Sequence, residues 1–150
     1  TRCNGICPIL GRTMADLSIA LSEDETLSDV ELISFSVDPE YDTPERLALY
    51  RKTNMRYREP DNQAHERANE KHWAHTRAAE RGAFWQIVGK GGFGLHVGEA
   101  INDPSTPVSH SGKLVLVDQR GRIRGYYDGL TGAEIPALMA DIRRVLDETD

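Results

Sequence analysis

The sequence of 150 residues contains only two cysteines, few aromatic residues and no long hydrophobic run. A membrane-spanning helix needs about 20 consecutive apolar residues, and no segment of the sequence provides them or has the build of a signal peptide. The net charge of −6 disfavours non-specific binding to nucleic acid. What remains is the composition of an ordinary globular domain, long enough to bury a hydrophobic core.

The two cysteines, Cys3 and Cys7, lie at the start of the chain within the segment TRCNGICP. Two thiols at this spacing can form a disulfide or bind one soft metal ion, and a structural disulfide or two inert thiols remain open alternatives. Pro8 favours the first turn of a helix, so we expect Cys7 to lie at the positive end of that helix. Such a position lowers the pKa of a thiol and raises the fraction of thiolate, which metal binding and disulfide exchange both require.

The rest of the sequence alternates between helical and strand patterns. Helices are predicted after Pro8, at 44–53, over the charged segment 56–82 and at 135–146; strands are predicted at 30–37, 113–118 and 122–127, with strand-like residues also at 84–88. This order, with thiols at the start of the first helix, predicts an α/β, thioredoxin-like three-layer fold without its N-terminal strands. We interpret residues 1–150 as a single domain truncated at its N terminus, because the sequence lacks an initial methionine and opens inside its main motif.

Three separated blocks of the sequence resemble the Sco/SenC family of copper chaperones. They are TRCNGICP at 1–8, SVDPEYDTPE at 36–45 and SHSGKLVLVD at 109–118. The resemblance covers residues 1–54 and roughly 84–148, whereas residues 56–83 do not fit the family pattern and are interpreted as a variable insertion. The family often has an acidic residue directly before its histidine, where this sequence has Ser109.

The resemblance implies that Cys3, Cys7 and His110 bind a copper ion. Two thiolates and an imidazole form a soft ligand set suited to Cu(I), and the histidine also suits Cu(II). Bound copper and a Cys3–Cys7 disulfide exclude each other, because the metal requires reduced and deprotonated thiols. Members of the family pass copper to the binuclear copper site of cytochrome c oxidase.

The partners implied by the resemblance are therefore the copper-bearing subunit of cytochrome c oxidase and an upstream copper donor, with no role for nucleic acid. The resemblance also implies a bacterial, periplasmic location, with attachment to the membrane only through an anchor that precedes this sequence.

Two other functions remain open. A thiol–disulfide oxidoreductase would use Cys3 and Cys7 as a catalytic redox pair, would reduce the copper-ligand cysteines of the oxidase, and would not need His110. An interaction module would instead dock a partner through the charged residues 56–82.

Several further residues have a structural interpretation. His72 and His75 are predicted to be solvated residues on a polar helix rather than metal ligands, and a zinc site that joins His96 to the cysteines and His110 ranks low. Asp38 and Asp42 are interpreted as turn and capping residues. The segment 89–94 fits G-x-G-x-x-G and is interpreted as a loop, because no helix is predicted directly after it. Thr106-Pro107 is a candidate for a cis peptide bond facing the cysteines.

Overall fold

The protein is described by a computed structural model that covers residues 1–3, 5–55, 63–100 and 108–148. The helices are α1 (Cys7–Ser22), α2 (Pro44–Met55), α3 (Gln63–His72), α4 (Arg81–Val88) and α5 (Ile135–Asp147), with a short 3₁₀ helix at Glu25–Leu27. The strands are β1 (Leu32–Phe35), β2 (Trp73–Thr76), β3 (Val97–Glu99), β4 (Val108–His110), β5 (Lys113–Val117) and β6 (Ile123–Asp128).

The described strands pair two by two. β1 and β2 are parallel, with Leu32 opposite Trp73. β3 and β4 are antiparallel, with Val97 opposite His110. β5 and β6 form an antiparallel hairpin whose register shifts near Val117. The β3–β4 pair has a direct consequence for function, because it fixes the position of the one histidine that the resemblance implicates.

The hydrophobic core is built from the first and last helices and the strands between them. In α1 the buried Leu17 and Leu21 lie four residues apart, so both face inward. In α5 the buried Leu138 and Ile142 repeat the same spacing. The core cluster comprises Met14, Ala15, Leu17, Leu21, Leu27, Trp73, Tyr127, Leu138 and Ile142. Each large aliphatic side chain in it contributes about 1.5–3 kcal/mol through burial.

The predicted polar helix over 56–82 is wrong in its extent. The helix α3 ends at His72, and the next four residues form strand β2. Trp73 determines this change, because its ring is only 2% exposed in the core and its Nε1 donates a hydrogen bond to Ser34 Oγ on β1 at 2.9 Å. The first part of the predicted helix lies outside the described residues, and the interpretation of 56–83 as a variable insertion stays a prediction.

Two further expectations are corrected. Residues 84–88 are helical rather than strand-like, because Phe84 and Val88, four residues apart, both turn into the interior from α4. His72 is buried rather than solvated, and its Nδ1 lies 2.9 Å from the backbone oxygen of Val30, to which it donates.

The candidate cis peptide bond at Thr106-Pro107 lies outside the described residues. Among the described helices, none combines the length and apolar character that crossing a bilayer requires.

Candidate metal centre

The three side chains that the sequence analysis selected are brought together by two elements that are distant in sequence. Cys7 is the first residue of α1, Cys3 lies in the loop directly before it, and His110 ends strand β4. One ligand atom from each of the three residues lies within 4.8 Å of the other two. In the described part of the chain this is the one group of at least three such residues with this proximity.

The hydrogen bonds of His110 fix which ring nitrogen faces the sulfur atoms. Its Nδ1 lies 3.0 Å from the backbone oxygen of Ser111, and its Nε2 lies 3.4 Å from Cys7 Sγ. A carbonyl oxygen only accepts hydrogen bonds, so Nδ1 carries the proton. In the neutral form of the ring, the lone pair of Nε2 therefore faces the cysteines, which is the arrangement that a metal-binding histidine needs.

Cys3 is the more acidic of the two thiols. Partial burial acts to raise the pKa of Cys3. Hydrogen bonds from the Cys7 thiol and from the backbone N–H groups of Cys7, Gly5 and Ile6 lower it and outweigh the effect of burial. The pKa of Cys3 is consequently lowered from 9.0. The free N–H groups at the start of α1 therefore stabilise the sulfur of the preceding loop, as helix N-termini do for other anions.

Cys7 behaves in the opposite way, which corrects the prediction that the start of the helix lowers its pKa. Burial raises the pKa of Cys7 to about 12, and its hydrogen bond to Cys3 and the charge of Cys3 add to the effect. Cys7 does lie at the helix start as predicted, but its partial burial and the nearby Cys3 sulfur outweigh the effect of that position on its pKa. The first thiolate of the pair is thus on Cys3.

The donor set suits a soft ion. Both cysteines are free, and both are partly exposed together with His110. Two sulfurs and one imidazole nitrogen match the preference of Cu(I), and deprotonation of Cys7 is needed before it can coordinate any metal. The same two sulfurs can instead be joined by a disulfide, so the site is able to switch between metal binding and oxidation.

Comparison with known proteins supports the resemblance. The sequence model of the SCO1/SenC family matches residues 1–57, which include both cysteines and the second sequence block. The resemblance to the SCO1/SenC family is confirmed. No curated protein matches the chain significantly. His110 lies beyond the matched residues, so its place beside Cys3 and Cys7 depends on the geometry described above.

Solved structures with the same fold include two from this family. A SCO1/SenC family lipoprotein from Bacillus anthracis has 23% sequence identity and a TM-score of 0.75, with 97% of this chain and 76% of that chain covered. The structure of Bradyrhizobium japonicum ScoI with copper bound has 20% identity and a TM-score of 0.62, with 95% of this chain and 78% of that chain covered. The predicted α/β, thioredoxin-like fold class is confirmed, whereas strands before residue 1 stay a prediction.

Of the other histidines, His96 and His75 have different surroundings from the group of Cys3, Cys7 and His110. Val97 lies directly opposite His110, so their side chains share one face of the β3–β4 pair. Because side chains alternate along a strand, the neighbouring His96 points to the other face, where its Nε2 lies 3.2 Å from Ser109 Oγ. His75 packs against the Trp73 ring, with ring centroids 4.5 Å apart. Among the described residues, the group of close metal-ligand atoms contains Cys3, Cys7 and His110 and not His96.

Sequence reasoning missed a charged anchor beside the cysteine loop. Asp38, interpreted as a turn residue, is buried and forms ion pairs with Arg2 at 2.6 Å and Arg81 at 2.7 Å. Arg2 directly precedes Cys3, so this anchor ties the cysteine loop to the segment that follows β1. A buried aspartate needs a cationic partner, but the sequence pattern has no signal for a partner 36 residues away.

Proposed function

We propose that the protein is a copper carrier that holds Cu(I) with Cys3, Cys7 and His110 and delivers it to the binuclear copper site of cytochrome c oxidase. The observation that carries the proposal is the convergence of two free sulfurs and the Nε2 face of an imidazole within 4.8 Å. The SCO1/SenC match over residues 1–57 and the similarity to a copper-bound ScoI support the choice of metal.

Loading of the ion follows from the protonation states of the ligands. Cys3 is the sulfur that deprotonates first, and Nε2 of His110 faces the sulfurs, so these two residues offer the first donor atoms. Cys7 coordinates after its proton leaves, and the positive charge of the ion favours that loss. Copper uptake therefore releases protons and weakens as the pH falls.

Delivery uses the partial exposure of the three ligands. An incoming sulfur from an acceptor protein can reach a three-coordinate Cu(I) and replace the donor ligands one at a time. A partner disulfide can oxidise Cys3 and Cys7 by thiol–disulfide exchange and is itself reduced to two thiols. The new Cys3–Cys7 disulfide removes two ligands and releases the ion, so the redox state of the thiols controls copper binding. The proposed partners are the copper-bearing subunit of the oxidase and an upstream copper donor.

We also infer a bacterial, periplasmic location with attachment to the membrane. The support for this location is that one structurally similar protein is a bacterial lipoprotein of the SCO1/SenC family.

Anaerobic titration with Cu(I) in competition with a chromophoric Cu(I) chelator tests the proposal. The wild-type protein should bind one Cu(I) ion, Cys3→Ser and His110→Ala should each lose affinity by at least tenfold, and the matched control His96→Ala should bind like the wild type. A wild-type protein that fails to compete with the chelator would overturn the copper proposal.

A thiol–disulfide oxidoreductase is the second candidate. The unequal thiols favour it, because Cys3 is suited to attack a disulfide, whereas the pKa of Cys7 is raised to about 12. The variant His110→Ala separates the two functions: a carrier loses copper affinity, whereas an oxidoreductase keeps its rate of disulfide reduction. Insulin reduction measured beside the copper titration gives both answers on the same samples.

A further inference from the structure

The carboxylate of Asp38 binds arginine side chains from two segments, Arg2 of the cysteine loop and Arg81 of α4. Its Oδ2 accepts hydrogen bonds from Nε and Nη2 of Arg2, at 3.0 and 2.6 Å. Its Oδ1 accepts a third bond from Nη2 of Arg81, at 2.7 Å. Asp38 is 5% exposed, whereas the Arg2 side chain is 38% exposed. The contact is therefore a charge-assisted, two-donor contact shielded on the carboxylate side, the kind that holds its geometry best.

A second contact restricts the same arginine. The Arg2 guanidinium lies over the Tyr41 ring, 4.3 Å from its centroid. Stacking and the two-donor bond together leave the Arg2 side chain little freedom. Because Arg2 is bonded covalently to Cys3, the restriction extends to the backbone from which the Cys3 sulfur projects.

We propose that Asp38 and Arg2 are positioning residues that hold Cys3 within reach of Cys7 and His110. The proposal rests on the proposed function only for its copper readout. Cys3 needs such an anchor more than the other two ligands do, because it lies in a loop, whereas Cys7 belongs to α1 and His110 to β4.

The proximity of the two sulfurs changes two equilibrium constants by the same factor. Closing the Cys3–Cys7 disulfide and closing the chelate ring around Cu(I) both require Cys3 Sγ to meet a partner fixed on α1. A more mobile loop lowers the effective concentration of one sulfur at the other. The equilibrium constants of both ring closures then fall by the same factor. A change in proximity alone therefore predicts parallel losses in disulfide stability and copper affinity.

An electrostatic role for Arg2 is the competing explanation, and three variants separate it from positioning. Arg2→Lys keeps the charge but loses the two-donor contact, and Arg2→Gln loses both. Asp38→Asn keeps the Arg2 charge and weakens its anchor. Positioning predicts that all three variants shift both equilibria in the same direction. An electrostatic role predicts instead that Arg2→Lys behaves like the wild type and that Asp38→Asn and Arg2→Gln shift in opposite directions.

The first measurement is the equilibrium of the metal-free protein with oxidised and reduced glutathione. The Cys3 and Cys7 thiols give two electrons and two protons to oxidised glutathione, which becomes two reduced molecules, and one disulfide forms in the protein. We expect the equilibrium constant for disulfide formation to fall by at least about tenfold in Arg2→Lys and Arg2→Gln, the size expected for one charge-assisted contact. The second measurement, Cu(I) affinity by chelator competition, should fall by the same factor.

Arg46→Gln is the matched control, because Arg46 also lies over the Tyr41 ring, at 4.0 Å, but its guanidinium donates a hydrogen bond to the Tyr41 backbone oxygen rather than to Asp38. It should leave both equilibria unchanged. Far-UV circular dichroism and thermal unfolding check that each variant is folded, and if Asp38→Asn does not fold, the comparison of the two Arg2 variants decides alone.

Wild-type values of the disulfide equilibrium constant in Arg2→Lys overturn the positioning role. A wild-type protein that does not bind Cu(I) overturns the proposed function instead, and the glutathione equilibrium still decides the role of Asp38 and Arg2.

Discussion

The histidine in strand β2 leads to a prediction about stability and pH. His75 is half-buried, with the Trp73 ring at a centroid distance of 4.5 Å and the Tyr50 ring at 6.4 Å. Among the described residues, neither ring nitrogen of His75 finds a hydrogen-bond partner. Burial, with a smaller effect of the positive charge of Arg51, lowers the pKa of His75 from 6.5 to about 4. The folded protein thus disfavours the charged imidazolium.

The direction of the pH effect follows from proton counting. Between pH 6.5 and about 4 the unfolded chain binds a proton at His75 and the folded chain does not, so the free energy of unfolding falls as the pH falls. Above pH 6.5 the ring is neutral in both states, and below about pH 4 both states are charged and the loss levels off. Complete loss amounts to about 3 kcal/mol at 1.36 kcal/mol per unit of pKa, and screening by water at a half-buried site reduces it to about 2 kcal/mol.

Urea unfolding of the metal-free protein at pH 7.5 and pH 5.0 measures this contribution. Lowering the pH from 7.5 to 5.0 should reduce the free energy of unfolding of both proteins. The reduction should be about 1.5 kcal/mol smaller in His75→Phe than in the wild type. The same substitution at an exposed histidine, His96→Phe, should leave the pH dependence unchanged. An equal loss in the wild type and His75→Phe would refute the reasoning, and an NMR titration of the His75 ring provides an independent check in the unmodified protein.

Two further predictions concern packing. Leu17→Ala removes a side chain that is 2% exposed in the core and should lower the free energy of unfolding by about 2–5 kcal/mol in urea titration, whereas Leu49→Ala on the exposed face of α2 should change it by less than about 0.5 kcal/mol. Gly129→Ala places a Cβ 2.6 Å from a methyl carbon of Leu10 and should cost about 1–3 kcal/mol, while Gly82→Ala meets no atom within 4 Å and should leave the melting temperature equal or higher.

The cysteine pair and its helix were predictable from the sequence because their signals are local. The pair lies within eight residues, and Pro8 marks the start of α1 in the same segment. His110 is different, because no local pattern connects it to sulfurs more than 100 residues away. It was found through the resemblance, and the β3–β4 pairing then supplied the physical reason for its position.

Strand β2 shows why the middle of the chain was mispredicted. The segment Trp73–Thr76 follows a charged helix directly, without a glycine or proline between them. Its strand conformation comes from pairing with β1 and from burial of the Trp73 ring, both of which are tertiary effects that override local propensity. The ion pairs of Asp38 were not predicted for the same reason, since each links residues at least 36 positions apart.

The distribution of charge between the two thiols is the part of the site that depends most on three-dimensional detail. The N–H groups at the start of a helix donate to the atom that lies in front of them. From sequence position alone, the thiol expected to benefit is that of the helical residue, Cys7. Here the backbone N–H groups of Gly5, Ile6 and Cys7 reach Cys3, while Cys7 is buried beside it. The loop sulfur therefore ionises before the helix sulfur. The loop conformation thus decides which thiol ionises, and the contact between Asp38 and Arg2 bears on that same loop.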